Sequence, residues 1–238
     1  MPSARAHHFV PEFLLAGFTP DGTREDYLCV SDLKTSKQWK NRPKETGHQR
    51  DFNRVEAENV PPNLAEEALS AIESAAAPVI AEIARTQQLP VDERGQSDLI
   101  FFVSSLATRV PAARSIVDHA VDSFNQQLLK VIMESPERWD SLERQMRADG
   151  RLNAGEHLSY EQTKEIIERG GVRCVASHNF QILTMLENAQ AVFPVLRQRQ
   201  WSLFISPAGH MRCMDKTTKQ PRNGKNTKRG IGHRHQIP

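Results

Sequence analysis

Residues 63–83 read NLAEEALSAIESAAAPVIAEI, and this stretch decides the fold class. Ala65, Leu69, Ile72, Ala76, Val79 and Ile83 recur at alternating steps of four and three. A helix of 3.6 residues per turn puts such positions on one face, so the spacing predicts a long amphipathic helix. Asn63 suits a helix start and Glu66 follows three places on, the spacing of a capping box with Asn in place of Ser or Thr. Pro78 removes one mid-helix hydrogen bond and predicts a kink.

Helical patterns continue towards the C-terminus. A second helix is expected from near Asp92, with residues 99–107 apolar on nearly every side and therefore central. Pro111 interrupts it, and an amphipathic continuation follows through Val117, Val121, Phe124, Leu128 and Ile132. A short, highly charged helix is expected over Pro136 to Ala148. Ser159 with Gln162 spells another capping box, and Gly170-Gly171 ends the helix it opens. Phe180, Leu183, Leu186 and Phe193 mark one more apolar face. Trp201 to Ile205 reads as a strand, and Pro207 to His210 as a turn.

Towards the N-terminus the period shortens. Tyr27-Leu28-Cys29-Val30-Ser31-Asp32 reads as a strand after the turn signal Thr19-Pro20-Asp21-Gly22, with Trp39 on a paired strand. Residues 9–60 are therefore a small β-rich opening segment. The expected class is α+β and predominantly helical, with a helical body, a short C-terminal strand and a basic tail. Residues 1–215 are expected to form a single α+β domain, incomplete at its C-terminal end if the native reading frame is lost near Met211, and the pattern collapses after Asp215. Residues 216–238 hold only Ile231 and Ile237 as large apolar side chains, too few to offset ordering entropy, so disorder is expected there.

Charge divides the chain. Seven of the 31 Lys and Arg lie in residues 216–238 and none of the 29 Asp and Glu, so the rest carries five more acids than bases. An argument for nucleic-acid binding can rest only on the tail. No apolar run reaches the roughly 18–20 residues that cross a bilayer, so no membrane partner is expected. The first residues lack the apolar stretch of a secretory signal, and the expected location is cytoplasmic. Cys29, Cys174 and Cys213 are odd in number and far apart, which speaks against a disulfide framework or a cysteine-rich zinc site.

The opening His7-His8-Phe9-Val10-Pro11-Glu12-Phe13-Leu14-Leu15-Ala16-Gly17-Phe18 resembles the start of the domain of unknown function 4238 family. That start has paired histidines, an aromatic, Val-Pro and then a Phe/Leu strand. Three further stretches resemble the family in the right order: Arg50-Asp51-Phe52, Ile72-Glu73, and Arg109-Val110-Pro111 with Arg114. The resemblance covers roughly residues 7–206. It implies no known reaction and no established catalytic set. The family continues from a Trp-led strand into a Ser/Thr-Asp-x-Pro turn, which Met214-Asp215-Lys216-Thr217 does not supply. A reading-frame change near Met211 and a native basic tail both account for that departure.

Four residues are candidates for chemistry. His8, beside His7, is one, because neutral imidazole serves as a base or a metal ligand near pH 7. Neighbours on a strand face opposite ways, so the two histidines are not expected to share one site. Asp51 could join His8 or Glu73 in binding a hard divalent cation, or could make a salt bridge in a turn. Glu73 lies two turns after Glu66 on the long helix, on a flank that is either functional or simply solvated. Arg109 follows an apolar stretch and must find anions or carbonyls. It could clamp a phosphate, hold a buried ion pair or cap the broken helix.

The chain has no P-loop, G-x-G-x-x-G, G-x-S-x-G or H-E-x-x-H motif. Two readings stay open. One is a metal-dependent nuclease or other phosphodiesterase using His8, Asp51, Glu73 and Arg109 with a divalent metal as cofactor. The other is a non-catalytic binding or regulatory module, with nucleic acid as a partner attracted by the basic tail.

Overall fold

The computed structural model describes residues 5–153, 155, 157 and 159–205; the basic segment 216–238 and the turn at 207–210 lie outside them. Described residues form four short strands and seven α-helices. They group into two compact units, one up to Arg114 and again from His178, the other Ser115–Ser177. Among them no single helix is long and apolar enough to cross a membrane.

In the first unit β1 (Ala6–His8) pairs antiparallel with β4 (His48–Arg50), setting His8 opposite His48. A second antiparallel pair joins β2 (Leu28–Ser31) to β3 (Gln38–Asn41), and Trp39 faces Val30 as the sequence predicts. The stretch after the paired histidines is not a strand. Glu12–Ala16 forms a helix, α1, because Pro11 fits the position just before a helix, and Leu15 and Ala16 go inward. A 3₁₀ turn, Pro43–Glu45, packs beside α1.

The long helix, α2, runs Leu64–Thr86 without interruption at Pro78 and buries Ala65, Leu69 and Ala76 from the expected face. Its capping box does not form. The Asn63 side chain makes no cap bond, and Glu66 turns away to another partner described below. Helix α3 (Glu93–Thr108) starts where Asp92 Oδ1 accepts the Gly95 N–H at 2.7 Å. It packs against both α2 and the last helix, α7 (His178–Arg197), which makes it the central element its apolar sequence predicts. Phe102 is 1% exposed and meets Phe13, while Phe101 meets Phe193 edge-on. The buried face of α7 is only partly the expected one: Ile182, Met185 and Ala189 go inside, Leu186 and Phe193 are half-buried, and Phe180 and Leu183 stay about half exposed. Trp201–Ile205 forms no ladder among the described residues, only an isolated bridge at Ser202.

The second unit has its own core. Helix α4 (Pro111–Ile132) enters it at Ser115, and α5 (Pro136–Ala148) and α6 (Tyr160–Glu168) complete it. Met133, Trp139 and Ile167 are buried together, with Leu129, Leu142 and Tyr160 packed around them. The Gly170 and Gly171 N–H groups bond back to Ile167 and Ile166 carbonyls, and Gly170 has φ of +70°, so the glycine pair ends α6 as expected. Ser159 precedes α6 without a side-chain cap bond. The extended segment after α6 is fastened along α4. Gln126 Nε2 donates to the Val172 carbonyl at 2.5 Å, Asp122 accepts the Cys174 N–H at 2.8 Å, and Asp118 accepts the Ala176 N–H at 3.1 Å. Steps of four residues put these three side chains on one line of the helix.

Candidate functional site

The pleat of β1 separates the paired histidines. His7 is 1% exposed, and its Nδ1 accepts the backbone N–H of Asn53 at 2.8 Å. His8, on the opposite face, keeps 16% of its side chain exposed and lines a cleft of about 290 Å³ in the first unit. Glu12 and Phe13 of α1 line the same cleft, as do Arg24 and the α2 side chains Glu66, Leu69, Ser70, Glu73, Ser74 and Ala77. Glu66 and Glu73 appear together because seven residues make nearly two full turns of α2.

Each α2 carboxylate is fixed from behind. Glu73 Oε1 accepts from Arg109 Nη1 at 2.7 Å, and Arg109 is fully buried at the end of α3. The Nε and Nη2 of Arg109 have no hydrogen-bond partner among the described residues. Burial lowers the Arg109 pKa from its ordinary value and Glu73 pushes it back up. Glu66 Oε1 accepts from the Asn53 side-chain amide at 2.5 Å and lies 3.8 Å from His7 Nδ1. Asn53 is fully buried; its Oδ1 in turn accepts from Arg114 Nη2 at 2.8 Å, and the Arg114 guanidinium lies 3.4 Å from the centre of the Phe52 ring.

Asp51 is not among the lining residues. Arg5 grips both its carboxylate oxygens, Nη2 at 2.5 Å and Nε at 3.1 Å, and the Asp51 N–H donates to the Arg5 carbonyl. Asp51 adopts φ of +54°, a turn conformation that Asp tolerates better than most residues. Its pKa falls below the ordinary carboxylate range because Arg5 hydrogen-bonds the charged form. Of the four sequence candidates, then, His8 and Glu73 share the cleft, Arg109 holds Glu73 from inside, and Asp51 makes the turn that carries Asn53.

His8 sits between opposing influences. Burial lowers its pKa, and Glu12, the Lys44 carbonyl and Glu66 raise it by less. The imidazole is therefore neutral at pH 7. Its Nε2 lies 3.2 Å from the Lys44 carbonyl and 3.6 Å from Glu12 Oε1. Among the described residues no group of three or more His, Cys, Asp or Glu side chains is arranged to hold a metal ion.

The sequence stretches that carry the family resemblance meet around this cleft: the paired histidines, the Asp51 turn, α2 with Glu73, and Arg109 with Arg114. A model of the family described as Protein of unknown function (DUF4238) matches residues 6–211. The chain belongs to that family. No curated protein and no solved structure shows significant similarity to it. Within this DUF4238 chain, sequence reading missed Glu12, Glu66, Asn53 and Arg24. Glu12 was visible in the opening motif, four residues after His8. Glu66 reads in the sequence as a capping residue and as a flank neighbour of Glu73, and nothing local marks Asn53.

A wider, open depression of about 610 Å³ lies in the second unit, lined by Glu137, Asp140, Glu143, Arg144, Arg147 and His157. Its buried carboxylate is already engaged, with Glu143 2.7 Å from Arg147 and 3.1 Å from His157. The first-unit cleft is the better candidate because its imidazole, His8, is 16% exposed, whereas His157 is 71% exposed.

Proposed function

We propose that the first-unit cleft is a proton-transfer site of hydrolytic type, with His8 as its general base. The observation that supports this reading is a partly buried, neutral imidazole lining an accessible cleft together with Glu12, Glu66 and Glu73. A base that is unprotonated at neutral pH and reachable by a bound ligand meets the first requirements of general base catalysis. Glu12 and Glu66, whose charges raise the His8 pKa, would stabilise the imidazolium formed by proton uptake.

A divalent-metal phosphodiesterase built on His8, Asp51, Glu73 and Arg109 has less support. Asp51 is engaged by Arg5, and the described residues offer no three-ligand group of the required kind. A phosphodiester would also meet three lining carboxylates with Arg24 as the lining cation. An uncharged ester or amide suits those walls better.

A second reading, a non-catalytic binding module, is favoured by the buried bonds themselves. His7 to Asn53, Asn53 to Glu66 and Arg114, and Arg109 to Glu73 are bonds that would hold the opening segment to the helices whatever the cleft does. The basic composition of residues 216–238 would add salt-sensitive attachment to nucleic acid in that reading.

The test is hydrolysis of chromogenic uncharged esters and amides, with bis(p-nitrophenyl) phosphate alongside, by the wild type and His8→Ala. The expected result is turnover of an uncharged substrate that falls about 10²–10⁴-fold in the variant while the far-UV spectrum is unchanged. Turnover that survives His8→Ala would overturn the assignment. Absence of turnover across the panel would move the weight to the binding module.

A further inference from the structure

We infer that His8 takes up protons at Nδ1, and that Glu12, with the Lys44 carbonyl, is the positioning residue that keeps the other ring proton on Nε2. This rests on the proton-transfer reading above and names the atom through which it works. The Lys44 carbonyl oxygen can only accept, so a ring nitrogen 3.2 Å from it must donate. Nε2 therefore carries hydrogen. Glu12 Oε1, 3.6 Å from the same nitrogen, favours the same placement. A neutral ring has one N–H, which leaves the lone pair on Nδ1. That atom makes no hydrogen bond among the described residues, and His8 borders the cleft.

His7 supplies the internal contrast. Its Nδ1 also bears the lone pair, but the Asn53 N–H occupies it. Adjacent histidines thus share one tautomer, and of the two Nδ1 lone pairs only that of His8 is left without a hydrogen bond among the described residues.

The step balances simply. A ligand O–H, or that of a water beside it, breaks; the electron pair stays on oxygen and the proton bonds to Nδ1. The resulting imidazolium still donates from Nε2 to Lys44. The titratable groups around it are Glu12 of α1, Glu66 of α2 and His48 of β4, whose ring centre lies 5.2 Å away. The two carboxylates favour the charged ring and His48 opposes it. A carboxylate facing the far nitrogen of a catalytic imidazole is a known way to fix tautomer and orientation.

The experiment is a pH titration of the full-length, ¹⁵N-labelled chain followed by long-range ¹H–¹⁵N correlation, with the His8 signals assigned by their loss in His8→Gln. The expected result is a neutral His8 protonated at Nε2. In Glu12→Gln its midpoint should fall by about 0.5 pH or more, and Glu12→Asp should restore most of that loss. A neutral His8 protonated at Nδ1, or a midpoint that Glu12→Gln leaves unmoved, would overturn the inference. Neither outcome depends on turnover, so failure here is separable from failure of the hydrolysis test.

Discussion

Two neighbouring histidines, alike in sequence, are given different work by a strand three residues long. His7 is enclosed and its Nδ1 serves the Asn53 N–H. Replacing it with Ala removes an enclosed ring and orphans that donor. A loss of about 2–4 kcal/mol in urea unfolding is expected, with His8→Ala well below it. Arg109→Met should cost about 1.5–3 kcal/mol, because Glu73, 26% exposed, would then lose its charge-assisted hydrogen bond. Denaturant midpoints of both variants against wild type check this. The alternation of strand faces was legible in the sequence, and so was the need of Arg109 for an anion. The separation of Asp51 from the other candidates was not, because Arg5 lies 46 residues away and nothing local announces the pair.

At the scale of elements, periodicity carried α2 and α3, where one face or nearly the whole circumference is apolar. It placed the buried face of α7 only in part, because apolar residues there surround the helix and only the partner, α3, decides which of them go in. Short elements were also misread. Five residues after Pro11 hold too little pattern to tell a helical turn from a strand. Nothing local marks Gln126, Asp122 and Asp118, yet their line along α4 binds the backbone of the segment after α6. In the same unit Trp139 is 4% exposed at the centre of the core. Trp139→Ala should cost about 3–5 kcal/mol, with amide exchange accelerated first over residues 115–177. Uniform acceleration across the chain would argue against a separate core there.

Across the whole molecule, acid should weaken the fold in two steps. The folded-state pKa of His8 is lowered, so the unfolded chain binds its proton first and stability falls as pH drops through the unfolded histidine range, near ~6.5. Glu143, held low chiefly by the Arg147 hydrogen bond, and Asp122, held low chiefly by the Cys174 N–H, act in a later window. Their stabilisation is complete above the unfolded carboxylate range of about 4 and is lost as pH falls through their lower folded values. Asp122→Ala should therefore lower the melting temperature at pH 7, and the gap from wild type should narrow at pH 3. Melting curves at the two pH values decide it. The most direct test of the central claim, that His8 is the accessible base and His7 a structural residue, is brief diethyl pyrocarbonate treatment of the native chain at pH 7 with fragment-ion mapping of the opening peptide. The account predicts rapid modification of His8 and protection of His7 until the chain unfolds. Modification of His7 at the rate of His8, or protection of both, would contradict it.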